Sequence, residues 1–134
     1  MAAKILLADD SGLARAAIKL LIADIADWEI CAEVADGDEA VEKAKIEWPD
    51  VAILDIAVPR MNGVQAAREI LRFSLATVVL TDSLYDVRVL ITELKEVGVK
   101  GFVSKARIAS DLIPAIKIVL NGGDYWGMEA AQTA

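Results

Sequence analysis

Polar side chains follow four short apolar runs of this chain, at the point where each run ends. The first run ends in Asp9 and Asp10, and a central run ends in Asp55. The two later runs end in Thr81 and in Ser104–Lys105. If these ends lie together, three carboxylates, a hydroxyl and an ammonium group converge on one place.

The charges of these groups indicate which chemistry they can perform. Carboxylates held close together repel and raise one another's pKa unless a cation lies among them. Such oxygen ligands suit Mg²⁺, which usually takes one or two carboxylates together with phosphate oxygens and several waters. A lysine ammonium suits a phosphate oxygen, and a hydroxyl can donate to another. The set predicts a site that stabilises a phosphoryl group during transfer, with one carboxylate as the nucleophile.

The elements that position these residues follow from the hydrophobic pattern. Apolar runs at 4–8, 29–35, 51–55, 77–81 and 101–104 alternate with stretches of helical period. Several of these runs have no polar alternation, as in parallel strands that are covered on both faces. Ser11, Asp36–Gly37 and Asn62–Gly63 are expected at helix starts, and Gly98 and Asn121–Gly122 at helix ends. The pattern predicts five β–α units.

The predicted fold is α/β: a flavodoxin-like, doubly wound, five-stranded parallel sheet with strand order 2-1-3-4-5. Residues 1–120 form one domain, and 121–134 are expected to be a tail or the start of a linker. Pro114 is tolerated only near a helix start, so the last helix is expected to begin near Ser110. Ligands of such sheets bind where strands 1 and 3 end, which is where Asp9, Asp10 and Asp55 fall.

Composition excludes several classes of function. With no histidine and only one cysteine, Cys31, the chain cannot build a zinc site of the usual kind or a histidine-dependent catalytic triad. The net charge of −7 argues against nucleic-acid binding by the chain itself. No apolar run approaches the length that crosses a bilayer, so a cytoplasmic protein that does not contact the membrane is expected. Trp28, Trp48 and Trp126 are expected to serve in packing.

Four stretches of the sequence resemble the response regulator receiver (CheY-like) domain of two-component systems. They are ILLADD, WPDVAILDIAVPRMNG, VVLTDS and GFVSK, and the resemblance covers nearly the whole chain. The second is the most specific, because Asp55 is followed by Pro59 and Gly63 at the spacing of the family. The ending AIKIVLNGGDYW is similar to the same region of receivers that carry a C-terminal helix-turn-helix DNA-binding domain. The 134 residues contain no sequence pattern of such a domain.

The resemblance implies a role for each polar residue. Asp55 would be the phosphoacceptor. Asp10, Asp55 and the backbone carbonyl of Ala57 would bind Mg²⁺, with Asp9 acting through water. Ala57 is smaller than the residue that is usual at its position.

The resemblance also implies how the phosphoryl group is held and sensed. Thr81, Lys105 and the backbone N–H of Asp82 would bind phosphoryl oxygens. Thr81 and Phe102 would form the switch that reports phosphorylation to the face of helix 4, strand 5 and helix 5. Asp82 replaces a small residue, and its extra carboxylate is expected to slow phosphorylation and hydrolysis.

The implied function is a phosphorylation switch rather than an enzyme, with self-phosphorylation and self-dephosphorylation as its only chemistry. The expected partners are a sensor histidine kinase and, through the helix 4–strand 5–helix 5 face, a second copy of the chain. The expected output is transcription control through a further domain. Three alternatives stay open: an aspartyl-phosphate phosphatase, which needs an acid where Ala57 stands; a flavodoxin-like cofactor binder; and a stand-alone or degenerate receiver that acts only as an interaction module.

Overall fold

The computed structural model describes residues 3–56, 63–72, 76–81 and 87–126, and gives only the backbone of 76–81 and 87–90. The strands are β1 (Ala3–Ala8), β2 (Trp28–Val34), β3 (Val51–Asp55), β4 (Ala76–Thr81) and β5 (Gly101–Ser104). The helices are α1 (Gly12–Ala23), α2 (Gly37–Glu47), α3 (Gly63–Ile70), α4 (Val87–Val97) and α5 (Ile108–Leu120). Strands and helices alternate along the chain, as the hydrophobic pattern predicts.

The five strands form one parallel sheet in the order β2-β1-β3-β4-β5. The predicted flavodoxin-like order is therefore confirmed. Because β1 and β3 are neighbours while the chain between them forms β2 at the sheet edge, the strand order reverses beside β1. The carboxyl ends of β1 and β3 meet at this reversal, and the last residues of both strands are buried.

Alternate residues of β1, β3 and β5 face two separate cores, as the side-chain period of a strand requires. Leu6, Leu54 and Phe102 belong to the core that includes residues of α2, α3 and α4. Ile5 and Ile53 belong to the other core, which includes residues of α1 and α5. Helices therefore cover both faces of the sheet, and this explains why the strand sequences are apolar without alternation.

The predicted helix boundaries agree with the structure except at α5. Ser11 and Asp36 cap α1 and α2 by accepting hydrogen bonds from backbone N–H groups three residues further on. Gly98 follows α4 with a φ of +104°, a conformation that favours glycine. The last helix was expected to begin near Ser110, but α5 begins at Ile108. A 3₁₀ turn over Lys105–Arg107 leads directly into the helix and moves its start toward β5.

Trp48 does not pack as predicted, since 61% of it is exposed. It lies one residue beyond α2, and its φ of +51° belongs to the left-handed region. The chain therefore leaves the helical path before Trp48, and its side chain departs from the stripe of Ala40, Val41 and Ala44, which are buried.

The segment 121–126 returns from the end of α5 to β5 instead of fraying from the domain. The N–H of Phe102 donates to the carbonyl of Tyr125 at 2.8 Å, and the N–H of Tyr125 donates to the carbonyl of Lys100 at 2.9 Å. Tyr125 thus forms a one-residue parallel bridge at the outer edge of β5, opposite Gly101. The Lys95 ammonium lies 5.2 Å from the centre of the Trp126 ring. Residues 127–134 lie outside the described part of the chain.

Candidate phosphoryl-transfer site

The three predicted carboxylates come together at the reversal of the strand order. One carboxylate oxygen from each of Asp9, Asp10 and Asp55 lies within 4.8 Å of the other two. Asp9 is fully buried and Asp55 is 5% exposed, while Asp10 is exposed on the loop that follows β1. The site therefore has a buried floor of two acids and a third acid at its rim.

Lys105 lies among these acids and supplies the cation that their repulsion requires. Its Nζ is 2.8 Å from Oδ2 of Asp9 and 3.0 Å from Oδ2 of Asp55. Burial lowers the pKa of Lys105, but its contacts with the carboxylates of Asp9 and Asp55 outweigh that effect, and the pKa lies above the ordinary lysine value. The ammonium is therefore fully charged at neutral pH.

Asp9 keeps acceptor capacity that protein groups do not use. Its Oδ1 accepts a hydrogen bond from the N–H of Ser11 at 2.9 Å. Its Oδ2 is buried, and no group of the described residues gives it a well-directed hydrogen bond, although it forms the ion pair with Lys105. A buried acceptor of this kind usually has a partner. Together with the oxygens of Asp10 and Asp55, it fits a hard cation such as Mg²⁺ or a water bound to one.

A close backbone approach brings the first residue of α3 against the end of β3. The N–H of Gly63 donates to the carbonyl of Ile56 at 3.1 Å. A Cβ atom added at Gly63 would lie 2.7 Å from the backbone oxygen of Asp55 and 2.6 Å from Cα of Ile56. Because only glycine fits at these distances, Gly63 lets α3 start directly against the residue that ends β3.

The remaining predicted site residues are placed less completely. Thr81 ends β4 and pairs with Ser104 on β5, but its side chain lies outside the described atoms. Ala57 and Asp82 lie outside the described residues, so their predicted backbone contacts remain predictions. Phe102 lies on β5, three residues before Lys105, and is 1% exposed in the core formed with α2, α3 and α4.

One residue that contacts this site was missed in the sequence. Arg15, in the first turns of α1, donates from Nη1 to the backbone carbonyl of Asp9 at 2.5 Å and from Nε to Glu33 at 3.0 Å. The available signal was a basic residue just inside the helix that follows the acidic pair. That signal is weak, because a cation in such a place is most often solvated.

Comparisons with known proteins agree with this geometry. Residues 5–117 match the response regulator receiver domain. Over 91% of its length the chain is 34% identical to the transcriptional regulatory protein DegU of Brevibacillus brevis, of which it covers 52%. It is 29% identical to the response regulator GacA of Pseudomonas syringae, covering 96% of this chain and 60% of that protein. The chain thus spans little more than half the length of the curated relatives that it matches.

Solved structures give the same result. A two-component response regulator of the LuxR family from Aurantimonas superposes with a TM-score of 0.87 at 27% identity, over 98% of this chain and 94% of that one. The response regulator domain of Thermotoga maritima CheB superposes with a TM-score of 0.82 at 26% identity, over 90% and 98% of the two chains.

Fold, acidic site and family match together define a signalling domain rather than a classical enzyme. The chain belongs to the response regulator receiver domains of two-component systems. Its relatives include proteins named as transcriptional regulators. None of the helices in the described part of the chain has the length and apolar character needed to cross a membrane.

Proposed function

We propose that Asp55 accepts a phosphoryl group from the phosphohistidine of a sensor histidine kinase. The observation that carries this proposal is the grouping of Asp55 with two further carboxylates and one lysine at the reversal of the strand order. Asp55 ends the central strand and is buried, yet its carboxylate lies near two other carboxylates and 3.0 Å from the Lys105 ammonium. A structural turn residue needs no such surroundings.

Asp10, Asp55 and the carbonyl of Ala57 would hold Mg²⁺, with Asp9 acting through a bound water. The unused acceptor on Oδ2 of Asp9 supports this assignment. When bound, the ion neutralises charge on the phosphoryl oxygens during transfer.

The transfer itself needs only positioning and charge. A carboxylate oxygen of Asp55 attacks the phosphorus, the P–N bond of the donor breaks, and its electron pair stays on the imidazole nitrogen. The Lys105 ammonium, which lies 3.0 Å from Asp55 in the structure, would then form an ion pair with a phosphoryl oxygen. The hydroxyl of Thr81 and the N–H of Asp82 would bind the other oxygens.

The proposed response is a change of the face formed by α4, β5 and α5. Thr81 and Phe102 would be the switch residues, and Phe102 starts from a buried position. A homodimer through this face would have to accommodate Tyr125, which lies along β5. The proposed output is control of transcription in the cytoplasm through a further domain, because the named relatives are regulators of transcription. No nucleic acid is expected to bind to this acidic chain itself.

Labelling with a small phosphodonor tests the proposal. Acetyl phosphate with Mg²⁺ should add one phosphoryl mass that is labile at alkaline pH, as measured by intact mass spectrometry. Asp55→Asn should stay unlabelled, because an amide is not a nucleophile for this transfer. Equal labelling of both proteins would refute Asp55 as the acceptor, and no labelling of either would favour a receiver that serves only as an interaction module.

A further inference from the structure

Three of the four atoms of Asp9 that can form a hydrogen bond have a hydrogen-bond partner among the described residues. Its N–H donates to the carbonyl of Val34 at 3.1 Å, and its Oδ1 accepts from the N–H of Ser11 at 2.9 Å. Its carbonyl accepts from Nη1 of Arg15 at 2.5 Å. Its Oδ2 is left facing Lys105 and the other acids. The orientation of Asp9 is thus set by two backbone groups, by the ion pair with Lys105 and by the guanidinium of Arg15.

Arg15 is itself held from the opposite side. Its Nε lies 3.0 Å from Oε1 of Glu33, and the Nζ of Lys19 lies 3.0 Å from Oε2 of the same carboxylate. Hydrogen bonds from Lys19 and Arg15 hold the pKa of Glu33 below its usual value. The planar guanidinium therefore spans from β2 to the end of β1, and a lysine has no fork with which to do this.

The bond from Arg15 acts on Asp10 through the peptide link. The carbonyl of Asp9 and the N–H of Asp10 belong to one rigid planar unit. Fixing the direction of that carbonyl fixes the direction in which the chain enters Asp10. Asp10 is exposed on a loop, so packing does little to hold its carboxylate within 4.8 Å of Asp9 and Asp55.

We propose that Arg15, anchored by Glu33, is a positioning residue that presents Asp9 and Asp10 to the metal. This inference rests on the proposed function of the acidic site. Charge and positioning predict opposite effects of Arg15 on the affinity for Mg²⁺. By charge alone, a guanidinium near a cation site weakens Mg²⁺ binding, and its removal strengthens it. Positioning predicts the reverse, because the loss of a group that orients metal ligands typically costs about 10-fold to 100-fold in metal affinity.

Calorimetric titration of Mg²⁺ into the folded protein separates these two effects. Arg15→Ala should bind Mg²⁺ at least about 10-fold more weakly than the unaltered chain. Lys19→Ala is the matched control, since it removes a positive charge from the same Glu33 carboxylate without touching Asp9, and it should bind as the unaltered chain does. Arg15→Lys keeps the charge and loses the fork, so it should also bind weakly; it replaces Arg15→Ala if that variant does not fold.

Labelling of Asp55 by acetyl phosphate gives the second readout. The Mg²⁺ concentration for half-maximal rate should rise in Arg15→Ala by the same factor as the dissociation constant. The rate at saturating Mg²⁺ should return close to that of the unaltered chain, because Asp55 and Lys105 are untouched. Unchanged or tighter Mg²⁺ binding by both Arg15 variants would overturn the positioning role of Arg15 and leave the proposed function of the acidic site intact. Failure of the unaltered chain to bind Mg²⁺ and become labelled would instead overturn the proposed function, and this inference with it.

Discussion

At the scale of single residues, Lys105 reduces the repulsion within the cluster of three carboxylates. Three carboxylates alone would repel, but the ammonium lies within 3.0 Å of two of them. Asp55 and a phosphoryl oxygen would then compete for the same ammonium, that of Lys105. A residue that pairs with the nucleophile before transfer is placed to pair with the phosphoryl group after it. One side chain therefore stabilises the fold and takes part in the proposed chemistry.

Gly63 offers a test of how tightly the backbone packs against Asp55, the proposed nucleophile. In Gly63→Ala the new Cβ would lie 2.7 Å from the backbone oxygen of Asp55, so the chain around Asp55 must shift. We expect a loss of about 1–3 kcal/mol in the free energy of unfolding, as for an overpacked site, together with slower labelling by acetyl phosphate. Urea denaturation and the labelling rate measure the two effects.

Gly12→Ala is the matched control for this substitution. The nearest atom to a Cβ at Gly12 is Nη2 of Arg15 at 3.7 Å, which is an ordinary contact with a flexible side chain. The helix start should accept alanine without loss of stability. If Gly63→Ala proves as stable and as readily labelled as Gly12→Ala, the close approach at β3 is not required.

At the scale of elements, the segment after α5 is joined to the domain by side chains as well as by its backbone. Asp111 is buried at the start of α5 and accepts hydrogen bonds from Arg107 at 3.1 Å and Ser110 at 2.9 Å. Burial, the charge of Asp111 and a hydrogen bond to that carboxylate raise the pKa of Tyr125. Asp111 thus links the 3₁₀ turn after β5 to the tail that pairs with β5.

Tyr125→Phe isolates the contribution of that hydrogen bond. The substitution removes the hydroxyl but leaves the backbone bridge to β5 intact. We expect a loss of about 1 kcal/mol in the free energy of unfolding. In the background of Asp111→Asn the same substitution should cost clearly less, because its partner is already altered. Equal costs in both backgrounds, measured by urea denaturation, would show that the two side chains are not coupled.

Asp111 also predicts a feature of the acid stability profile. Its burial raises the pKa, but hydrogen bonds from Arg107, Ser110 and Tyr125 and the charge of Arg107 outweigh that effect, so the pKa lies below the ordinary value. The stabilisation is therefore present above about pH 4, the unfolded value, and is lost as the pH falls through the lower folded value. Asp111→Asn should lose less stability than the unaltered chain over this acid range. Asp124→Asn, a nearby exposed acid, is the control, and parallel profiles for all three proteins would contradict the assignment.

At the scale of the whole molecule, Mg²⁺ should stabilise the folded chain because the proposed metal site exists only when the ends of β1 and β3 meet. Binding to the folded state alone raises the free energy of unfolding by about 2.7 kcal/mol when free Mg²⁺ is 100 times the dissociation constant. Thermal unfolding with MgCl₂ measures the effect. NaCl at equal ionic strength is the control, since it only screens the net charge of −7.

Asp10→Asn should reduce this response to Mg²⁺. Its side chain is exposed at the rim of the site, so the substitution removes a proposed metal ligand without disturbing the core. A melting temperature that depends on ionic strength but not on the choice of cation would count against the metal site.

The sequence by itself determined the order of the elements, the sheet topology and the strand ends that carry Asp9, Asp10, Asp55, Thr81 and Lys105. These features depend on hydrophobic period and on turn residues, which act between near neighbours in the chain. Parallel strands joined by right-handed crossovers leave few other arrangements. The first residue of most helices followed from the same local signals, and α5 and Trp48 departed from prediction where a 3₁₀ turn and a left-handed residue intervened.

Only the tertiary structure decided which side chains meet across those ends. Lys105 and Asp55 are 50 residues apart, and Arg15 reaches Glu33 across 18 residues. The partners of long, flexible side chains depend on distances and angles that exist only once the backbone is folded. The hydrophobic periodicity of the sequence therefore does not predict these contacts. The pairing of Tyr125 with β5 is of the same kind. An unpaired strand edge accepts any nearby backbone, so only the path of the chain after α5 decides that this one reaches it.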